Sequence, residues 1–185
     1  PSGSRDACAI RQASETSLKL ASERAGSGPE ATGRAGAGQG RVLNSTIMQA
    51  FGDQLESAVR RCQSPTLVGL DPRFDSLPAP LTIGRDSRNL ADVAAAFETF
   101  CKGVIDVVAP RVAAVKPQAA FFEQFGVPGM AALAATIAYA REKGLLVILD
   151  GKRNDIGSTA EAYADAYLGA ESAWRADALT VSPYL

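Results

Sequence analysis

No histidine occurs anywhere in the 185 residues. That absence excludes Ser-His-Asp and Cys-His catalysis and any His-ligated metal centre, so catalysis would have to rest on Lys, Asp, Glu, Ser or Tyr. Cysteine is nearly as scarce. Cys8, Cys62 and Cys101 are odd in number, widely separated and without a CxxC pair, which supports neither a disulfide framework nor a zinc site. Ordinary reduced thiols are expected, with Cys101 in the core. Neither sign of charge is in excess. A formal net charge of -1 gives no general attraction to nucleic acid or to an anionic membrane. Long apolar runs are missing as well: none is long enough to span a bilayer, and the N-terminus lacks an apolar signal core. A soluble, cytoplasmic protein is the expectation.

What remains is the composition of an ordinary globular domain, 46% hydrophobic and 21% charged, with length enough for one sizeable core. The composition is unevenly spread. Residues 1–45 are rich in Gly, Ala, Ser and Arg and poor in large apolar side chains. Such a segment cannot bury enough surface to offset its ordering entropy, so a disordered extension is expected. Asp6, Glu15, Glu23 and Glu30 argue against a transit peptide. Met48 stands just before the first well-patterned segment, which suggests a native start near that residue. Residues 46–185 then form the folded domain.

Within that domain Phe51, Leu55, Val59 and Cys62 recur at helical spacing. Thr66–Asp71 is an apolar run stopped by Asp71-Pro72 and reads as a buried strand. Residues 72–89, with Pro72, Pro78 and Pro80, read as a long loop. Leu90, Val93, Phe97, Cys101, Val104 and Val108 mark an amphipathic helix ending at Pro110. Val112–Gln118 reads as a second strand. Met130, Leu133, Ile137 and Ala140 mark a helix closed by Gly144. Leu145–Asp150 reads as a third strand, Ala160–Ala170 as a helix, and "ADALTVSPYL" supplies a fourth strand. Continuous apolar strands alternating with helices argue for a parallel sheet covered by helices. Each strand ends on polar residues, Asp71, Lys116, Asp150 with Lys152, and Ser182, which is the habit of a (β/α)8 barrel. A doubly wound sheet would place a glycine-rich phosphate loop after its first strand, and none is there. A barrel needs roughly 250 residues, so four strands read as the first four βα units.

The densest charge lies in "LDGKRNDIGST", where Asp150, Lys152, Arg153 and Asp155 follow the third strand. Strand alternation would project Asp150 and Lys152 to the same side. Asp155 follows three residues later at the turn into the next helix, placed to approach Lys152 within the subunit or across an interface. A lysine between two carboxylates is held in its charged form, suited to donating a proton to a carbanion rather than to acting as a nucleophile. On spacing alone, a structural ion-pair network at a barrel rim fits equally well.

With its neighbours, the motif resembles a known family. "LDGKRNDIGSTA" carries the Asp-x-Lys-x-x-Asp-Ile pattern of the orotidine 5'-phosphate decarboxylases. "VGLDPR", "AVKPQAAFFEQFG" and "LTVSPYL" resemble the longer-chain bacterial branch of that family, in the same order. The resemblance runs from about Phe51 to Leu185. It implies decarboxylation of orotidine 5'-phosphate to UMP in pyrimidine biosynthesis, with no metal and no organic cofactor, in a homodimer that binds a small-molecule substrate and neither nucleic acid nor membrane. Asp71 and Lys116 match residues that hold the ribose hydroxyls and extend the charged network. Asp150 matches the carboxylate beside the substrate's own, Lys152 the proton donor to C6, and Asp155 a carboxylate that reaches the neighbouring subunit's site, accompanied by Ile156 and Thr159. Ser182 matches a pyrimidine contact more loosely, a plain turn residue being the alternative. Gln118 and Phe121 shape the pocket, with core packing the alternative for Phe121.

Two other readings stay open. A related sugar-phosphate lyase would share Asp150, Lys152 and Asp155, but a magnesium-dependent one would need an acidic ligand where Lys116 stands. An inactive half-barrel would lack the phosphate grip that later barrel loops usually supply.

Overall fold

The computed structural model describes residues 49–169 and 171–184. The expected extension over residues 1–45, the start near Met48 and Cys8 lie outside the described residues. The chain from Phe51 onward forms one unit.

Four short strands set its frame: β1 Leu67–Leu70, β2 Ala114–Pro117, β3 Leu146–Leu149 and β4 Ala178–Leu179. They pair in chain order and all in parallel. Parallel neighbours joined through helices, each strand added beside the last, are the construction of a (β/α)8 barrel, here its first four units. The sheet's middle is buried as expected: Val147, Ile148 and Leu149 of β3 and Ala114 and Val115 of β2 are all shielded. β1 corrects the expectation of a buried strand. Only Leu70 is fully buried there, and Leu67 is 40% exposed, because β1 lies at the edge of the described sheet and pairs with β2 alone.

The helices among the described residues are α1 Phe51–Cys62, α2 Ala79–Thr82, α3 Leu90–Val108, α4 Ala119–Glu123, α5 Gly126–Glu142 and α6 Gly157–Tyr167. Asn89 caps α3, its side-chain oxygen accepting from Ala91 N–H at 3.0 Å and Asp92 N–H at 3.3 Å, which satisfies two first-turn donors. Val93, Phe97, Cys101 and Ile105 form its buried stripe. Leu90, expected on that stripe, is 47% exposed at the first turn. α5 packs against α3 through Leu133, Ile137 and Ala140, and Phe97 meets Phe122 and Phe125 edge-on, ring centroids 5.9 and 5.2 Å apart. Such edge-to-face pairs add to the burial term. Cys101 sits in this core as expected, and burial pushes its thiol up to about 12.

Three stretches depart from the sequence pattern. The loop of residues 72–89 contains a 3-10 turn, Phe74–Ser76, and the short helix α2. Pro80 falls in the first turn of α2, where a missing N–H costs no helical bond. α4 was not signalled by the pattern, and α5 begins at Gly126 rather than near Met130. The first turn of α5 packs tightly on the end of α4. A Cβ on Gly129 would lie 2.0 Å from the Phe122 carbonyl oxygen, so only glycine fits. α6 runs from Gly157 to Tyr167 rather than from Ala160 to Ala170. The end of α5 follows expectation: Gly144 has φ +76°, and the N–H groups of Gly144 and Leu145 return to Arg141 and Ala140, closing a Schellman motif.

Candidate active site

The carboxyl ends of the strands are stitched together by backbone bonds. Gln118 N–H donates to Leu70 C=O at 3.2 Å, Asp150 N–H to Pro117 C=O at 2.9 Å and Thr180 N–H to Leu149 C=O at 3.0 Å. The register that pairs Leu149 with Leu179 brings Asp150 and Thr180 side by side, and an isolated bridge sets Gln118 beside Asp150. The sheet therefore brings three side chains, Lys116, Gln118 and Thr180, to one carboxylate, and the loop after β3 adds a fourth, Lys152.

Asp150 is buried, and each of its oxygens accepts two hydrogen bonds. Oδ2 accepts from Lys116 Nζ at 2.6 Å and Gln118 Nε2 at 3.0 Å. Oδ1 accepts from Thr180 Oγ1 at 2.9 Å and from Lys152 Nζ. Burial alone would raise this carboxyl. The hydrogen bonds from Lys116, Lys152 and Thr180 outweigh it and hold the group down to about 2. Asp150 is thus a fixed negative charge at neutral pH. The Lys152 side chain is 61% exposed, so its ammonium is tied to Asp150 on one side and open to incoming molecules on the other.

The Asp150–Lys152 pair arises differently from the expected strand alternation. β3 stops at Leu149, and Lys152 sits in left-handed backbone with φ +50°, a conformation few non-glycine residues adopt. The loop, rather than the strand, turns the ammonium back onto the carboxylate. Thr180 Oγ1 accepts from Lys152 N–H at 3.1 Å. Arg153 donates to the Gly151 carbonyl and pairs with Glu123 on α4, closing the other flank.

The remaining candidates are placed as follows. Gln118 does double duty, its Oε1 accepting from Ala120 N–H at 3.5 Å as the cap of α4. Asp71 is exposed just past β1, its carboxylate lying over Gly69, and is not among the partners of Asp150. Asp155 is exposed; its Oδ1 accepts from Ile156 N–H at 2.7 Å, and it does not join the cluster within the subunit. Ile156, 71% exposed, and Thr159 stand beside it at the start of α6. Ser182 lies beyond β4, where its N–H donates to Asn154 Oδ1 at 2.9 Å and its hydroxyl to the Tyr184 carbonyl at 2.8 Å. Phe121 is half-buried against the core, with the Arg73 guanidinium 5.0 Å above its ring. Both line a cleft of about 520 Å³ with Phe74, Gln124 and Phe125. Sequence reasoning missed Thr180, Glu123, Arg153 in its pairing role, and Asn154. Among the described residues no cluster of three or more Cys, Asp or Glu is placed to hold a metal ion, and no helix is long and apolar enough to cross a membrane.

A family model described as the orotidine 5'-phosphate decarboxylase / HUMPS family matches residues 79–185. The orotidine 5'-phosphate decarboxylase of Rhodopirellula baltica is 56% identical over 142 residues, 75% of this chain and 47% of that protein. That of Nocardioides sp. is 46% identical over 138 residues, again 75% of this chain and 47% of that protein. The solved structure of Leishmania donovani OMP decarboxylase is 37% identical, with a TM-score of 0.54, covering 72% of this chain and 44% of that one. The chain spans about half the length of the curated relatives it matches.

Proposed function

The chain belongs to the orotidine 5'-phosphate decarboxylase / HUMPS family, and from that premise we propose that it supplies the first half of the catalytic barrel of a decarboxylase converting orotidine 5'-phosphate to UMP. The observation that carries the reading is the buried Asp150 carboxylate gripped by Lys116 and Lys152 at the strand ends.

Loss of CO2 from C6 of the pyrimidine leaves a carbanion with little delocalisation. A cation already aimed at that carbon stabilises the charge as it develops, at no cost in reorganisation. Lys152 is that cation and then the proton donor: one N–H bond breaks as the C6–H bond forms, and the departing CO2 leaves its electron pair behind. Asp150 orients the ammonium and repels the substrate carboxylate set beside it. Lys116 keeps Asp150 ionised and, with Asp71, reaches the ribose hydroxyls; Gln118 shapes the pocket and Ser182 contacts the pyrimidine. The chemistry assigned to these residues calls for neither metal nor organic cofactor. Asp155, turned outward beside the exposed Ile156 and Thr159, serves the site of a second subunit, which makes the working enzyme a homodimer. The reading places it in the cytoplasm, with a nucleotide substrate and no nucleic acid or membrane partner.

A magnesium-dependent sugar-phosphate lyase is disfavoured by Lys116 Nζ standing 2.6 Å from Asp150 Oδ2, where a second cation would have to displace it. Turnover of orotidine 5'-phosphate by the product of the complete reading frame, measured with and without EDTA, separates the two. Equal rates are expected. Loss of turnover on chelation sinks the cofactor-free reading.

A further inference from the structure

Thr180 belongs to no charged motif, yet it bonds the end of β3 once and the loop that follows it three times. Its N–H donates to the Leu149 carbonyl and its own carbonyl accepts from Arg153 N–H at 3.2 Å. Its hydroxyl donates to Asp150 Oδ1 at 2.9 Å and accepts from Lys152 N–H at 3.1 Å. Building on the decarboxylase reading, we infer that Thr180 is a positioning residue for Lys152: its hydroxyl ties the backbone of the proton donor to the same carboxylate that holds the donor's ammonium.

The direction of these bonds is fixed by chemistry. An ionised carboxylate only accepts and an amide N–H only donates, so the one hydroxyl proton must point to Asp150 and a lone pair to Lys152. Lys152 needs the support. Its φ of +50° is a sparsely populated conformation for a residue with a side chain, and such conformations persist only where the surroundings over-determine them. Thr180 closes one flank of the loop; Arg153, bonded to the Gly151 carbonyl and to Glu123, closes the other. Lys116 and Gln118 hold Asp150 through its other oxygen. Removing the Thr180 hydroxyl therefore leaves the carboxylate anchored and releases the lysine. The defect falls on the chemical step rather than on substrate binding.

The test uses the product of the complete reading frame with Thr180→Val, which keeps the shape and loses both bonds, and Thr180→Ser, which keeps both. A misplaced proton donor should lower kcat for orotidine 5'-phosphate on the order of tenfold to a hundredfold in the valine variant, with KM changed less than about twofold. The Lys152 amide should exchange with solvent faster by NMR, and serine should recover most of both properties. Should the valine variant fail to fold, Thr180→Ala carries the same comparison. Unchanged Lys152 amide exchange, a loss confined to KM, or a serine variant as poor as valine overturns the inference. If the parent protein does not decarboxylate the substrate, the decarboxylase reading fails, while the exchange comparison still decides whether Thr180 holds Lys152.

Discussion

Asp150 works under two opposed influences. Burial disfavours its charge, and two ammonium groups, an amide and a hydroxyl restore it. The outcome is a carboxyl held down to about 2, against an ordinary value of roughly 3.9 for an unfolded aspartate. A carboxyl lower in the folded than in the unfolded state contributes stability that is fully present above about pH 4 and is lost as pH falls toward 2. Urea unfolding as a function of pH should therefore show the parent losing stability across that interval. Asp150→Asn should be less stable at pH 7 by about 1–3 kcal/mol and flatter in that acid range; equal slopes for the two proteins would contradict this. Much of the cluster was legible at this scale, because Asp150, Lys152 and Lys116 break apolar strands with charge and so announce themselves. Thr180 was not. A β-branched hydroxyl residue at the end of a strand looks like strand, and only the register of Leu149 on Leu179 sets it opposite Asp150.

Elements carry the cluster through a few tight junctions. α4 and α5 meet at a junction where Gly129, in the first turn of α5, lies against the Phe122 carbonyl, and α4 bears Glu123, the partner of Arg153 in the loop after β3. Gly129→Ala forces that junction apart. It should destabilise the protein by more than about 2 kcal/mol, a value reserved for clashes and strain in packed regions, and thermal denaturation measures it; a change below about 0.5 kcal/mol, the range of a neutral surface substitution, would show that the turn yields. The longer helices were readable from their 3.6-residue stripes, and β2 and β3 from their unbroken apolar runs. α4 was not, because five residues, Ala119–Glu123, are too few to establish a period, and its cap is a glutamine bonded at the same time to Asp150. α2 was hidden by the prolines that read as loop, although a proline in a first turn is compatible with helix. β1 misled in the other direction: its apolar residues predict burial, and an edge position leaves Leu67 half open.

At the scale of the molecule, the described sheet has β1 and β4 at its ends, and Asp155 and Ile156 are exposed. Open strand edges seek further pairing, consistent with a chain that spans about half of its relatives' length. The proposed homodimer makes a sharp prediction, because a two-fold interface exchanges Asp155 reciprocally. In the product of the complete reading frame, Lys152→Ala and Asp155→Ala should each be nearly inactive alone. Mixed in equal amounts and allowed to exchange subunits, they should recover about a quarter of the parent activity, since half the dimers then hold one unaltered site of two. No recovery would place Asp155 in its own subunit's site.

The most direct test of the central claim is one number, the kcat of Lys152→Ala with orotidine 5'-phosphate in the product of the complete reading frame. Loss of the proposed cation and proton donor should lower it by at least about a thousandfold with the fold intact by circular dichroism. A decrease of less than about tenfold, the scale of a minor contact, would mean that the proton reaches C6 from another group and that the Asp150–Lys152 pair is structural.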